Sequence, residues 1–180
     1  MNNTAAVQVS VDAGENDDEI DRRWKLLHAM GPAMIAAFAC SPSMRGAPDG
    51  EWVSQRMRAW LALDPELTDV PDPAGYPAWV IDAPLTCVRS GEPEWHAPPG
   101  ATFADWLDGS LDAEIGRRPT VGDLDYHMTT LFPPVRPRGH LEVRYIDAQP
   151  GDLWQVPVAA IEALLSTPAV TQEATAVAAP

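Results

Sequence analysis

The 180-residue sequence is short of cysteine, of cationic charge and of long apolar runs, and each shortage removes a class of protein. Its two cysteines, Cys40 and Cys87, make neither a CxxC pair nor a disulfide framework, so they read as reduced, partly buried thiols and a disulfide-stapled scaffold is excluded. The longest uncharged apolar stretches, such as Ala33 to Cys40, fall far below the ~20 residues that a membrane helix needs. Polar Asn2 and Asn3 follow Met1, where a basic and then apolar leader would otherwise stand. A soluble, cytoplasmic chain with no membrane partner is the expectation. Twelve basic residues against 26 acidic ones give a formal charge of -14, which repels phosphate backbones and anionic surfaces, and no nucleic-acid partner is expected.

Enough remains to build a core. Hydrophobic residues make up 46% and charged residues 21%, both ordinary for a globular chain, while 19 prolines are about twice the usual ~5% and predict many loops. Lys25 is the one lysine; every other basic residue is arginine. Five of these, Arg117, Arg118, Arg136, Arg138 and Arg144, fall in one short stretch. Arginine's planar fork suits bidentate contacts to carboxylate or phosphate, so the stretch reads either as an anion site or as a solvated face with local ion pairs.

Periodicity places the elements. Val7, Val9 and Val11 alternate with Gln8, Ser10 and Asp12, the pattern of a strand with one polar face. Asn16 and Glu19 suggest a capping box, followed by Ile20, Trp24, Leu27, Met30, Met34 and Phe38 at helical spacing, with an interruption at Gly31-Pro32. A loop is expected over 41–50, a short helix over 52–63, a proline-rich connection over 71–77, a short strand over 83–89 and a turn region over 91–100. Thr102 with Asp105, and Thr120 with Asp123, cap two further helices. In His140 to Asp147, Leu141, Val143 and Tyr145 alternate with His140, Glu142 and Arg144, which makes a strand with an apolar and a charged face. Asp152 and Gln155 are expected to cap a last helix to about Leu165, and 169–180 to be a flexible Ala-rich tail. No linker divides the chain.

Glu142 and Arg144 stand two apart on one strand face, ~7 Å from each other, close enough to act on one ligand. A carboxylate beside a guanidinium suits a site for Mg²⁺ and nucleotide phosphate, and equally suits an ion pair between strands. Arg136-Pro137-Arg138 would present two more guanidiniums nearby.

The run from His127 through Met128-Thr129-Thr130-Leu131-Phe132-Pro133-Pro134-Val135-Arg136-Pro137-Arg138-Gly139-His140-Leu141-Glu142-Val143-Arg144-Tyr145-Ile146-Asp147 resembles the signature of the plant and bacterial glutamate-cysteine ligases, and most of all their ergothioneine-pathway branch. Thr4 to Val9, Ala36 to Pro42, Ser54 with Arg56, Trp60 and Asp64, Asp82-Ala83-Pro84 and Phe103 to Leu107 extend the resemblance over about 4–167. It implies an α+β fold, an antiparallel sheet with helices packed on one face, similar to the C-terminal part of a glutamine synthetase-like catalytic domain, here over 1–168. It implies ATP-dependent ligation of the glutamate side-chain carboxylate to cysteine, with ATP and Mg²⁺ as cofactors. By resemblance Glu142 is the metal ligand and, with Arg144, the catalytic pair; Arg136 and Arg144 contact ATP; Arg56, Trp60, Gln8, Thr129 and Thr130 contact substrate. His127 and His140 lack a ligand-spaced partner and read as structural. Ser10 stands where relatives carry Asn, and Leu67 where they carry Arg. The resemblance matches only the C-terminal half of a family member, so activity is expected only with an N-terminal half supplied separately or preceding this start. A non-catalytic binding or interaction module, and a sister carboxylate-amine ligase with another acceptor, are the other readings.

Overall fold

The computed structural model of the protein describes residues 4–44, 51–89 and 95–178. The expected loop and turn over 45–50 and 90–94 lie outside them. The described elements run β1 (Ala6–Asp12), α1 (Asp17–Ala29), α2 (Gly31–Phe38), α3 (Gln55–Leu61), α4 (Tyr76–Asp82), α5 (Phe103–Asp108), α6 (Asp112–Ile115), α7 (Val121–Thr130), β2 (Val135–Pro137), β3 (His140–Asp147), α8 (Gln155–Leu164) and α9 (Pro168–Ala178), an α+β composition. They group into two compact units, 1–63 with 134–180, and 64–133.

The first unit holds a three-stranded antiparallel sheet in the order β1-β3-β2. The period-2 reading of β1 holds: Val9 is buried and Gln8, Ser10 and Asp12 are exposed. β2 is only three residues long, too short for an alternation to show, and was not expected. It turns into β3 at Arg138-Gly139, where Gly139 sits at φ +75, a left-handed conformation that L side chains rarely adopt. α1 starts as expected, with Asn16 Oδ1 accepting from the Glu19 amide at 3.0 Å. The second half of the expected box is different, since the Glu19 carboxylate accepts from the Glu15 amide, 3.1 Å away. The helix ends at Met30 and α2 begins with Gly31-Pro32, because proline has no amide to continue the ladder. Tyr145, buried on β3, donates its hydroxyl to the Leu27 carbonyl of α1 at 2.8 Å and ties sheet to helix.

Further differences from the sequence reading appear at the C-terminus. α8 follows a 3-10 turn over Gly151–Trp154 and carries no side-chain cap, so Asp152 does not cap it. Of the segment expected as a tail, 169–178 lies in α9, which packs on α1 and buries Thr171.

The second unit is helical around two apolar clusters, Leu85, Val88, Ala101, Phe103, Trp106 and Leu111 in one, Leu67, Val80, Ala83 and Leu131 in the other. Both expected capping boxes form, Thr102 with Asp105 and Thr120 with Asp123. The strand expected over 83–89 is reduced to an isolated bridge between Pro84 and Thr102, because Pro84 has no amide to extend a ladder. α4 takes over the end of the expected proline-rich connection, with Pro77 in its first turn, where a missing amide costs nothing. Leu67, read as a departure from a substrate-facing arginine, is buried among apolar side chains, so leucine suits its place.

Candidate functional site

The centre of the site is Glu142. In the sheet register it stands between Ser10 on β1 and Arg136 on β2, so these three side chains share one face of the sheet. Arg136 Nη1 lies 4.0 Å from one Glu142 oxygen and Arg144 Nε lies 3.7 Å from the other. Glu142 and Arg144 are each only 9% exposed, so the charged face of β3 is covered at both residues.

Part of that cover is α3. Arg56 and Trp60 are one turn apart on this helix and therefore share a face. The guanidinium carbons of Arg56 and Arg144 lie 5.1 and 5.2 Å from the Trp60 ring centroid, each a cation-π contact. Arg56 is buried, donates to the Arg144 carbonyl and has Nη1 3.5 Å from Asp147 Oδ1. Burial pulls its guanidinium below the ordinary value, while the neighbouring Asp147 pulls it upward.

Asp147, the last residue of β3, was not singled out from the sequence. Its Oδ2 accepts from the Cys40 amide at 3.0 Å and the Ser41 hydroxyl at 2.8 Å, and its Oδ1 from the Ser54 hydroxyl at 3.0 Å. Ser54 also caps α3 by accepting from the Met57 amide at 3.0 Å. In the sequence Ser54 stood only among the residues that carry the resemblance, with Arg56, Trp60 and Asp64.

The structure thus brings Arg136, Glu142, Arg144, Trp60 and Arg56 together. Gln8 is exposed on β1; Val7 pairs with Ile146 and Val9 with Val143, so Gln8 faces a bulge formed by Arg144 and Tyr145. Thr129 and Thr130 belong to the second unit, and their hydroxyls donate to the Tyr126 and His127 carbonyls at 2.6 and 2.7 Å. The five-arginine stretch is divided in the same way. Arg117 holds Asp123 through two 2.8 Å hydrogen bonds and lies 4.8 Å from the Trp106 ring, and Arg118 donates to the Leu107 carbonyl at 3.0 Å. His127 is buried with a ring nitrogen 2.8 Å from the Val80 carbonyl, the structural role expected of it.

Three guanidiniums against two carboxylates leave the cluster with one net positive charge inside a chain of -14. It can receive an anion. Metal binding is less complete: among the described residues no group of three or more His, Cys, Asp or Glu is placed to hold an ion. The Asp147 oxygens are engaged by three hydrogen-bond donors and Arg56, so Glu142 would offer the one carboxylate oxygen of the cluster to Mg²⁺, which does not by itself complete a site. A groove of about 600 Å³ in the second unit is lined by Glu66, Asp69 and Asp82 beside Trp79, and none of the expected site residues borders it. Its acidic walls disfavour phosphate.

A strand face with paired arginines about one acid, covered by an arginine-tryptophan helix face, is the candidate site of this chain. The chain belongs to the glutamate-cysteine ligase family 2, GCS2, whose profile matches residues 1–180. It is 45% identical to the glutamate-cysteine ligase EgtA of Mycolicibacterium smegmatis over 97% of this chain and 42% of that protein. It is 42% identical to EgtA of Mycobacterium tuberculosis over 93% of this chain and 40% of that protein, and 34% identical to the chloroplastic glutamate-cysteine ligase of Medicago truncatula over 83% and 30%. The chain therefore spans about two fifths of the length of the bacterial relatives it matches.

Proposed function

We propose that this chain is the nucleotide-phosphate-binding portion of an ATP-dependent glutamate-cysteine ligase. One observation carries the reading: Arg136 and Arg144 flank Glu142 at 4.0 and 3.7 Å. Direct charge-assisted hydrogen bonds are about 2.7–2.9 Å, so neither contact with Glu142 is a short one and a phosphate can compete with Glu142 at these cations. In the ligase reaction the glutamate side-chain carboxylate attacks the terminal phosphorus of ATP, giving an acyl phosphate and ADP. The cysteine amine then attacks the acyl carbon, phosphate leaves, and a γ-peptide bond forms. Mg²⁺ bound with the nucleotide supplies neutralisation of phosphate charge.

The side chains of this site hold and orient. Arg144 and Arg136 bind phosphate oxygens, Glu142 keeps the two guanidiniums apart and offers an oxygen to the nucleotide's metal, and Trp60 fixes the Arg144 plane. Arg56 serves from below Arg144, and Gln8, exposed opposite the bulge, faces substrate. Further metal ligands and the opposite wall come from family sequence outside this chain, on the same or a separate polypeptide, in a cytoplasmic enzyme of ergothioneine-type thiol synthesis. No single helix among the described residues is long and apolar enough to cross a membrane.

The test is ADP release by the folded chain with MgATP, glutamate and cysteine, alone and with the N-terminal portion of a relative added. Cysteine-dependent turnover that disappears in Arg144→Ala is the expected result in the completed site. A folded Arg144→Ala variant that binds MgATP as tightly as the parent chain overturns the assignment. The single available carboxylate also favours a second reading, a binding module without turnover, whose signature is MgATP binding with no ADP release in any combination. Turnover with an amine other than cysteine identifies a sister ligase.

A further inference from the structure

Asp147 is 2% exposed at the end of β3, a place where an ionised carboxylate persists only with its lone pairs engaged. They are. Two donors from the segment after α2, Cys40 N and Ser41 Oγ, meet Oδ2; the α3 cap hydroxyl Ser54 Oγ and the Arg56 guanidinium meet Oδ1. None of these contacts is with a residue two positions away on the same strand face, so Asp147 joins three separate pieces of chain. The consequence falls on Arg56, whose other arm donates to the Arg144 backbone carbonyl while its guanidinium contacts the same Trp60 ring as that of Arg144.

We infer that Asp147 is a positioning residue for the phosphate-binding arginine: through Arg56 and Trp60 it sets the orientation of Arg144 without touching the ligand. The inference rests on the reading of Arg144 proposed above. The carboxylate supplies two things that an amide cannot, a negative charge for Arg56 and acceptors on both oxygens for three donors. With asparagine there, one of the donors meets an amide nitrogen and Arg56 loses its counter-charge. Arg56 is then free to reorient on Trp60, and the Arg144 guanidinium that shares the ring follows.

The experiment uses the whole chain, with MgATP as probe in calorimetry and the arginine side-chain Nε–Hε resonances as a second readout, Arg144 being assigned by its loss in Arg144→Lys. In Asp147→Asn the expected result is an Arg144 resonance shifted or broadened while the amides of β1 and β3 keep their positions, with MgATP affinity about tenfold weaker. Arg56→Lys keeps charge but loses the fork; it is expected to give a similar loss, and the double variant no more than either single one, because the two act in one chain of contacts. Ser41→Ala, which removes one donor and keeps the carboxylate, carries the same test with a loss of two- to threefold where Asp147→Asn destabilises the fold. An unmoved Arg144 resonance, or additive losses in the double variant, overturns the inference. If the parent chain binds no MgATP, the proposed function fails by itself, and the Arg144 resonance alone decides whether Asp147 positions it.

Discussion

Glu142→Gln is the most informative single change, because its effects on stability and on anion binding have opposite signs. The substitution keeps the shape and removes one negative charge between Arg136 at 4.0 Å and Arg144 at 3.7 Å. At an effective dielectric of about 20 each attraction amounts to ~4 kcal/mol before solvation is counted. All three side chains retain some contact with water, between 11 and 15% exposed, so rehydration offsets much of this. The net loss expected is ~2 kcal/mol, below the ~3–5 kcal/mol of breaking a fully buried pair. For a chain of this size that is a fall of about 4–8 °C in Tm, measurable by circular dichroism or tryptophan fluorescence. Binding of metal-free tripolyphosphate should move the other way. The anion no longer displaces a carboxylate and meets a cluster with one more net positive charge, so its affinity should rise about tenfold, an effect of ~1.4 kcal/mol. MgATP affinity should fall, since Glu142 would be the residue of this cluster to offer an oxygen to the nucleotide's metal. A Glu142→Gln variant that is destabilised yet binds tripolyphosphate no better would refute the idea that Glu142 and phosphate compete for the same guanidiniums.

Two further outcomes test the fold beneath the site. Trp106 is fully buried, donates Nε1–H to the Arg117 carbonyl at 2.8 Å, meets Phe103 edge to face and supports Arg117 on its ring; Trp106→Ala should cost ~3–5 kcal/mol in urea unfolding, and a loss below ~1 kcal/mol would mean that the second unit is not organised around it. His28 is half-buried and His127 buried, and the loss of hydration holds both below the ordinary value of 6.5. The unfolded chain therefore binds more protons than the folded one, so stability is full above 6.5 and falls as the pH drops from 6.5 toward the lowered folded values. Denaturant midpoints at pH 7.5 and 5.5 should show this fall, with part of the slope removed in His127→Gln; a midpoint that is flat or rises on acidification contradicts the neutral imidazoles.

What was legible in the sequence was local. The valine alternation of β1, the Thr-x-x-Asp caps of α5 and α7 and the proline break between α1 and α2 are each decided within a few residues, by side-chain period, by one hydrogen bond or by a missing amide. The Glu142 and Arg144 spacing and the nearby Arg136 belong to the same class, and the resemblance added Arg56 and Trp60. The cover over the charged face of β3 did not show, because alternation says which face a side chain takes and nothing of what lies above it. Asp147 stayed hidden for a related reason: its partners Cys40, Ser41, Ser54 and Arg56 are far away in sequence, and no short motif marks a carboxylate that waits for donors from two distant segments. α9 was missed because Ala-rich composition argues against burial, whereas its packing on α1 needs only one small-residue face.

The scarcity of lysine, a mere compositional detail in the sequence, acquires a physical reason in the structure. Arg56, Arg89, Arg117 and Arg144 each place the guanidinium within about 5 Å of an aromatic centroid, and Arg56, Arg89 and Arg117 at the same time donate to backbone carbonyls. An ammonium group is a compact, strongly hydrated point charge that cannot lie flat on a ring while its several donors reach fixed partners around the edge. Lysine at Arg56 would have to choose between Asp147 and the Arg144 carbonyl, and lysine at Arg117 could not make two parallel bonds to Asp123. In a chain with so few cations, Arg56, Arg89 and Arg117 join separate segments, and the two beside Glu142 lie 4.0 and 3.7 Å from its carboxylate. In the function proposed above, these two guanidiniums exchange the Glu142 carboxylate for a phosphate.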